Sequence, residues 1–326
     1  MNRTAGPAQS SEVAQLIERL RAGDVRALAR AISLVENDAP LAPAILSACF
    51  PFSERALRIG VTGAPGAGKS TLVDRLARHY RAAGITVGII AVDPTSPFSG
   101  GAILGDRIRM QESLNDAGLY VRSMATRGSL GGLARTSADV ASVMEASGKE
   151  IVLIETVGVG QDEVDIVRLA DVTVVVLVPG MGDDVQSIKA GIMEIADVFV
   201  VNKADREGAD RVEREVRTMQ SLTVHHGEWI PPVVKTVAST GEGIDQLTAS
   251  IAEMKCWLDA EDRLAARRKR YWRERIHEMI RQALMRQVRE HGLSDAEIEQ
   301  HVERVAGKQE DPYTLVPRLV ARVFES

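Results

Sequence analysis

Cysteine is close to absent: Cys49 and Cys256 stand alone in 326 residues, and neither belongs to a Cys-x-x-Cys pair. Neither a disulfide framework nor a thiolate zinc site is therefore expected, and a reducing compartment suits the chain. Long apolar runs are missing too. No stretch reaches the roughly 18 uninterrupted apolar residues that a membrane helix requires, and MNRTAGPAQSSEVAQLIERL carries no apolar secretory core. These absences lead to the expectation of a cytoplasmic protein without membrane attachment. A large excess of one sign of charge is also lacking, the formal net charge being -5, so the overall balance exerts no general pull on nucleic acid. Internal repeats and low-complexity tracts do not occur.

What is present is 45% hydrophobic residues, enough for a well-buried core in one α/β domain with helical additions. Residues 1–55 read as an N-terminal helical extension, with Val13, Leu16, Ile17 and Leu20, then Leu28, Ala31, Ile32 and Leu34, at helical spacing. Over residues 56–258 the rhythm changes to short β-branched runs, LRIGVTG, ITVGIIAVD, IVLIETVG, VTVVVLVPG, ADVFVVNKAD and PPVVKTVA, between amphipathic stretches. Apolar runs without alternation belong to strands buried on both faces, so a doubly wound, mostly parallel α/β domain is expected. Residues 259–326 read as a C-terminal helical arm, in which Trp272, Ile276, Met279, Ile280, Leu284 and Val288 form an apolar stripe among arginines and glutamates. Gly292 is expected to end its first helix, Ser294 with Glu297 to cap the next, and Asp311-Pro312 to open a third.

Between the first strand and an amphipathic helix lies GAPGAGKST, which contains the spacing Gly63-x-x-x-x-Gly68-Lys69-Ser70. This is a phosphate-binding P-loop: glycine lets the backbone curl until successive N–H groups converge on phosphate oxygens, and the helix N-terminus adds its dipole. Gly63, Ala64, Pro65, Gly66, Ala67 and Gly68 are expected to line the phosphates, with Thr71 at the helix start. Lys69 would reach the β- and γ-phosphates and Ser70 Oγ would ligate Mg2+.

VVNKAD closes a later apolar strand, on the edge where an open parallel sheet binds ligands. Asp205 can accept from guanine N1–H and the 2-amino group, a pair of donors that adenine lacks. Lys203 can lay its stem over the purine, and Asn202 can bond N7 and tie its loop to the P-loop. In the following TVASTGEG, a backbone amide near Ala238, flanked by Val237 and Ser239, would meet guanine O6, with Gly241 and Gly243 permitting the turn. GTP and GDP are therefore the expected nucleotides.

Phosphoryl transfer needs oriented water, neutralised charge and Mg2+ rather than covalent help. Asp93, at a strand end, Asp106, after a Gly/Ser/Pro-rich segment, and Glu155 are the candidate carboxylates. Each alone can be a strand-end or helix-cap acid; beside Lys69 and Ser70 they read as a metal and catalytic set. Gly158 would offer its amide to the γ-phosphate, and the loop it opens would sense hydrolysis. Gln161 can orient the attacking water or cap the helix DEVDIVRLA. Lys189, in VPGMGDDVQSIKAG, can neutralise developing charge or lie solvated on a helix.

The chain resembles the MeaB/ArgK family, which includes the methylmalonic aciduria type A protein. GAPGAGKST, VDPTSPFSGGAILGDRIRM, RGSLGGLA, IETVGVGQDE, PGMGDDVQSIKAGIMEIAD and VNKAD carry the likeness. It covers nearly the whole chain, and the long middle motifs are more specific than the P-loop. The resemblance implies a SIMIBI-class P-loop GTPase that acts as a chaperone in assembly, cofactor loading and protection of an adenosylcobalamin-dependent acyl-CoA mutase, methylmalonyl-CoA mutase above all. It further implies Ser70 and Asp106 at Mg2+, Glu155 at the water shell of the ion, Val178 to Lys189 as an extra switch, and the C-terminal arm as a homodimerisation element. Val237 departs from the pattern, where family members carry serine.

Two other functions use parts of the same pattern. A nickel-type metallochaperone GTPase would need clustered His and Cys, and only His225-His226 offers a pair. A GTP-dependent kinase would use the same cradle to pass phosphate to a hydroxyl. The run RLAARRKRYWRER is flanked by acids, and its Tyr271 and Trp272 suit a buried helix face better than base stacking, so nucleic acid is not an expected partner.

Overall fold

The computed structural model describes residues 7–93, 116–125, 132–156, 169–180, 195–222, 229–291 and 294–324. Its elements follow one another as α1 (Pro7–Arg21), α2 (Val25–Glu36), α3 (Ala42–Cys49), β1 (Leu57–Gly63), α4 (Lys69–Ala82), β2 (Val87–Asp93), β3 (Leu119–Ala125) and α5 (Gly132–Ala146). They continue with β4 (Ile151–Glu155), β5 (Val172–Leu177), β6 (Val198–Asn202), α6 (Ala209–Leu222), β7 (Val233–Thr236) and α7 (Ile244–Asp259). The last three are α8 (Arg263–His291), α9 (Asp295–Ala306) and α10 (Pro312–Phe324).

The strands form one seven-stranded sheet in the order β3-β2-β4-β1-β5-β6-β7. All neighbouring pairs are parallel. The reason lies in their composition: β4 and β6 are buried at every position, which only a sheet covered on both faces can accommodate. Successive residues of β5 show the two faces. Val174 and Val176 join Leu72 and Leu76 of α4 and Leu247 and Ile251 of α7 on one side. Val175 joins Phe199, Val201, Val212 and Val216 on the other. The strands being parallel, the carboxyl ends of β1, β4, β5 and β6 lie side by side on one edge of the sheet, the edge at which open α/β sheets bind ligands.

The N-terminal extension is not a loose appendage. The buried stripe Ala27, Leu28, Ala31, Ile32 and Val35 of α2 packs on α5, which itself lies on β2 and β4. Arg122 of β3 adds an ion pair to Glu36 of α2. Extension and sheet form one compact unit, Met1–Leu264, and the second unit is Ala265–Ser326. Trp257, Leu258 and Leu264 still pack on the core of the first unit, and the Arg263 guanidinium lies 4.4 Å above the Trp257 ring.

Within the second unit the expected caps occur. Ser294 and Glu297 form a reciprocal capping box, and Asp311 accepts the Tyr313 and Thr314 amides at the start of α10. Glu310 joins α9 to α10, with its carboxylate 2.7 Å from His301 Nδ1 and 2.6 Å from Arg318. Ile276, Met279, Ile280 and Leu284 of α8 are exposed. The anticipated stop at Gly292 lies outside the described residues, as does the His225-His226 pair.

At the amino edge of the sheet, Arg58 Nε is 2.6 Å from Glu145 Oε1 on α5, and the Glu145 side chain is wholly inaccessible. The second oxygen of Glu145 accepts the Glu54 amide. Removing one member of such a pair strips compensation from a buried charge. Glu145→Ala should lower unfolding stability by about 3 to 5 kcal/mol, read as a drop in the urea midpoint; an unshifted midpoint would show that the pair does not matter.

Candidate functional site

The loop between β1 and α4 is shaped by what its glycines must avoid. Gly63 has φ +142°, and a Cβ there would stand 2.2 Å from the Val176 carbonyl of β5. Gly68 has φ +89°, and a Cβ there would stand 2.5 Å from Asn202 Nδ2. Both positions thus require glycine on grounds of conformation and of space. Lys69 opens α4 and is buried, its ammonium donating to the Gly63 and Ala64 carbonyls at 2.7 and 3.1 Å. Pro65 and Gly66 are exposed and Ala67 is buried, so the outer rim of the loop faces solvent.

Ser70, one residue along α4, donates its hydroxyl to Glu155 Oε1 at 2.6 Å. Glu155 ends β4 and is buried at 5% exposure, with its Cα in register with Val61 of β1 and Ala91 of β2. A hydroxyl and a carboxylate are hard oxygen donors of the kind Mg2+ prefers, and the hydroxyl that donates to Glu155 keeps its lone pairs for a cation. The donor set therefore fits the expected ion. Next in sequence, Thr156 ties back to β1 through its amide to the Val61 carbonyl at 3.1 Å and its hydroxyl to Thr62 at 3.0 Å. Asp93 ends β2, two positions beyond the residue in register with Glu155. Its side chain, like Asp106, Gly158, Gln161 and Lys189, lies outside the described residues.

Asn202 closes β6 and is buried. Its Nδ2 donates to the Ala67 carbonyl at 2.8 Å, while Oδ1 accepts the Thr236 hydroxyl and the Ala238 amide, each at 3.1 Å. The anticipated tie to the P-loop is thus present, and the same amide group extends it to the loop after β7. Lys203 takes φ +56°, unusual for a side-chain-bearing residue, and its ammonium donates to the Gly66 carbonyl at 2.7 Å. Its aliphatic stem therefore bridges the two loops. Asp205 is exposed on the same turn. Val237, the position that departs from serine, is buried, and its amide donates to the Glu242 carbonyl to close the loop.

The amides near Ala238 differ from one another in their partners. The Ala238 amide, a candidate for a purine oxygen, already has Asn202 as its acceptor. The Ser239 amide beside it has no acceptor among the described residues. Sequence reasoning also missed the parts played by Thr236, whose hydroxyl donates to Asn202 from the end of β7, and by Arg75, which holds this loop from α4. Thr236 opens TVASTGEG but stands at no fixed spacing from Asn202, and Arg75 belongs to no motif, so no local signal marks either contact. Among the described residues, no group of three or more His, Cys, Asp or Glu side chains is placed to hold a metal, and no helix is long and apolar enough to cross a membrane.

Comparison with known proteins agrees with the geometry. The sequence profile described as methylmalonyl Co-A mutase-associated GTPase MeaB matches residues 28–292. A Pyrococcus horikoshii relative, provisionally named a GTPase, is 48% identical over 95% of this chain and 98% of its own length. The Escherichia coli GTPase ArgK is 38% identical over 77% of this chain and 78% of its own. A crystal structure titled LAO/AO transport system kinase superposes with a TM-score of 0.71 at 27% identity, covering 99% of this chain and 100% of that one.

Asn202→Ala would leave the Ala238 amide and the Ala67 carbonyl without their shared partner. Guanine nucleotide affinity should fall by about ten- to a hundredfold, on the order of two lost hydrogen bonds, in equilibrium titration with a fluorescent GDP. Unchanged affinity would mean that the two loops are held by something else.

Proposed function

The chain belongs to the MeaB family of methylmalonyl-CoA mutase-associated GTPases, and on that premise we propose that it is a GTP-hydrolysing chaperone whose nucleotide state times assembly, cofactor loading and protection of an adenosylcobalamin-dependent methylmalonyl-CoA mutase. The observation that carries its nucleotide-binding part is the junction at Asn202, which locks a phosphate loop and a base loop onto one sheet edge, and the client follows from the family description. That edge also bears Glu155.

In this reading the P-loop amides and Lys69 take the phosphates, Lys69 leaving the Gly63 and Ala64 carbonyls for the β- and γ-oxygens. Ser70 and Asp106 would hold Mg2+, with Glu155 toward its water shell and Asp93 a further candidate carboxylate for the ion. When bound, that ion neutralises charge between the β- and γ-phosphates. Asp205 selects guanine through N1–H and the 2-amino group, with Lys203 against the purine face. Gly158 follows the γ-phosphate, Gln161 orients water, and Lys189 answers developing charge in a second switch. GTP and GDP thereby set alternative positions of the loops after β4 and β5, which a client protein can distinguish. The exposed apolar stripe on α8 fits a homodimer, since such a surface needs cover.

Two measurements test this. The protein should retain purified methylmalonyl-CoA mutase on a column, with retention that differs between GDP and a non-hydrolysable GTP analogue; no retention in either state would remove the chaperone role. Asp205→Asn should cut GTP affinity at least about tenfold, as expected for hydrogen bonds to a charged acceptor, and narrow the preference for GTP over ATP. Label from γ-labelled GTP appearing on an acceptor, rather than as free phosphate, would favour a kinase instead.

A further inference from the structure

The helix that follows the P-loop reaches the base loop through one side chain. Arg75 of α4, half-buried, donates from Nε to the Ala238 carbonyl at 3.0 Å and from Nη2 to the Ser239 carbonyl. Two consecutive carbonyls held by one planar guanidinium fix the direction of the peptide between them, a task for which the flexible single ammonium of lysine is poorly suited.

The consequence follows from peptide geometry. In a planar trans peptide the C=O and the next N–H point to opposite sides. Pulling the Ala238 carbonyl toward α4 therefore aims the Ser239 N–H away from α4. Among the described residues, the rest of the turn leaves this amide as its one backbone donor without an acceptor. Val237 N–H donates to Glu242, Ala238 N–H to Asn202, and Thr240 and Gly241 N–H to the Val237 carbonyl. The Glu242 N–H turns to the Thr240 hydroxyl. From Val237 to Glu242, only the Ser239 amide has no acceptor among the described residues.

We propose that Arg75 is a positioning residue for base specificity, which fixes the Ala238–Ser239 peptide so that the Ser239 N–H meets the oxygen at purine C6. A 6-amino group in that place would set donor against donor, so the amide admits guanine and hypoxanthine and rejects adenine. This selection is separate from that of Asp205, which reads N1–H and the 2-amino group. The proposal rests on the guanine reading given above and names a second determinant of it, supplied from the phosphate side of the site.

The test is a set of equilibrium affinities of the full chain for GDP, 6-thioguanosine diphosphate, inosine diphosphate and ADP. Wild type, Arg75→Gln, Arg75→Lys and Asp205→Asn are compared. Sulfur is a weak acceptor, so the thio penalty reports the contact at C6, and the inosine penalty reports the contact of Asp205 with the 2-amino group. Arg75→Gln should weaken GDP about fivefold, the scale of one neutral hydrogen bond, and shrink the thio penalty toward unity while the inosine penalty stays as in wild type. Arg75→Lys should fall between. Asp205→Asn should do the reverse, losing the inosine penalty and keeping the thio penalty. Ratios between ligands report folded molecules only, so partial unfolding of a variant does not mimic the effect. A thio penalty equal to that of wild type in both Arg75 variants, with Asp205→Asn behaving as stated, overturns this proposal alone. Wild type that binds ADP as tightly as GDP overturns the guanine reading and this proposal with it.

Discussion

A single buried carboxamide joins the two halves of the nucleotide edge. Asn202 sits at the end of β6 with its donor side on the P-loop and its acceptor side on the loop after β7. The loop after β7 closes on itself through the Val237–Glu242 bridge, but nothing within either loop ties it to the other, and a buried amide can serve both because it carries donors and acceptors on one rigid plane. The glycine at position 68 follows from this contact, since any side chain there would collide with the Asn202 amide. So does the left-handed backbone of Lys203, which turns the chain back over Gly66 immediately after the asparagine.

The parallel sheet makes that junction possible. Only when all strands run the same way do the ends of β1, β4 and β6 deliver Gly63, Glu155 and Asn202 to one edge. Burial on both faces then holds the strands in register, through α4 and α7 on one side and α6 on the other. The opposite edge is pinned differently, by the enclosed Arg58–Glu145 pair and by Asp171 and Asp197, whose carboxylates accept the amides that begin neighbouring strands. The chemistry is thus confined to the carboxyl edge, and the amino edge serves to hold the sheet together.

Much of this was legible in advance. The unbroken apolar runs announced a parallel sheet because alternation is needed only where one face is wet. The P-loop and VNKAD could be read because their spacing is imposed by local backbone geometry, and the capping box at Ser294 and Glu297 for the same reason. The N-terminal extension was recognised as helical, but not as a layer fused to the sheet through α5. Helical periodicity says that a face is covered and is silent about what covers it.

Arg75 and Thr236 show where local reading stops. Arg75 lies 163 positions from the Ala238 carbonyl it holds, and on the sequence it is one arginine among many on an amphipathic helix. That the Ala238 amide is taken by the Asn202 carbonyl, while the Ser239 amide has no acceptor among the described residues, is likewise visible only in the fold. The order of residues along the chain settles the strands and the glycine turns, and it points to the residue types expected at phosphate and guanine, because those depend on neighbours a few positions away. Which amide faces the base, and what holds it there, depends on groups brought together by the crossing of β6, β7 and α4, and that choice belongs to the folded structure.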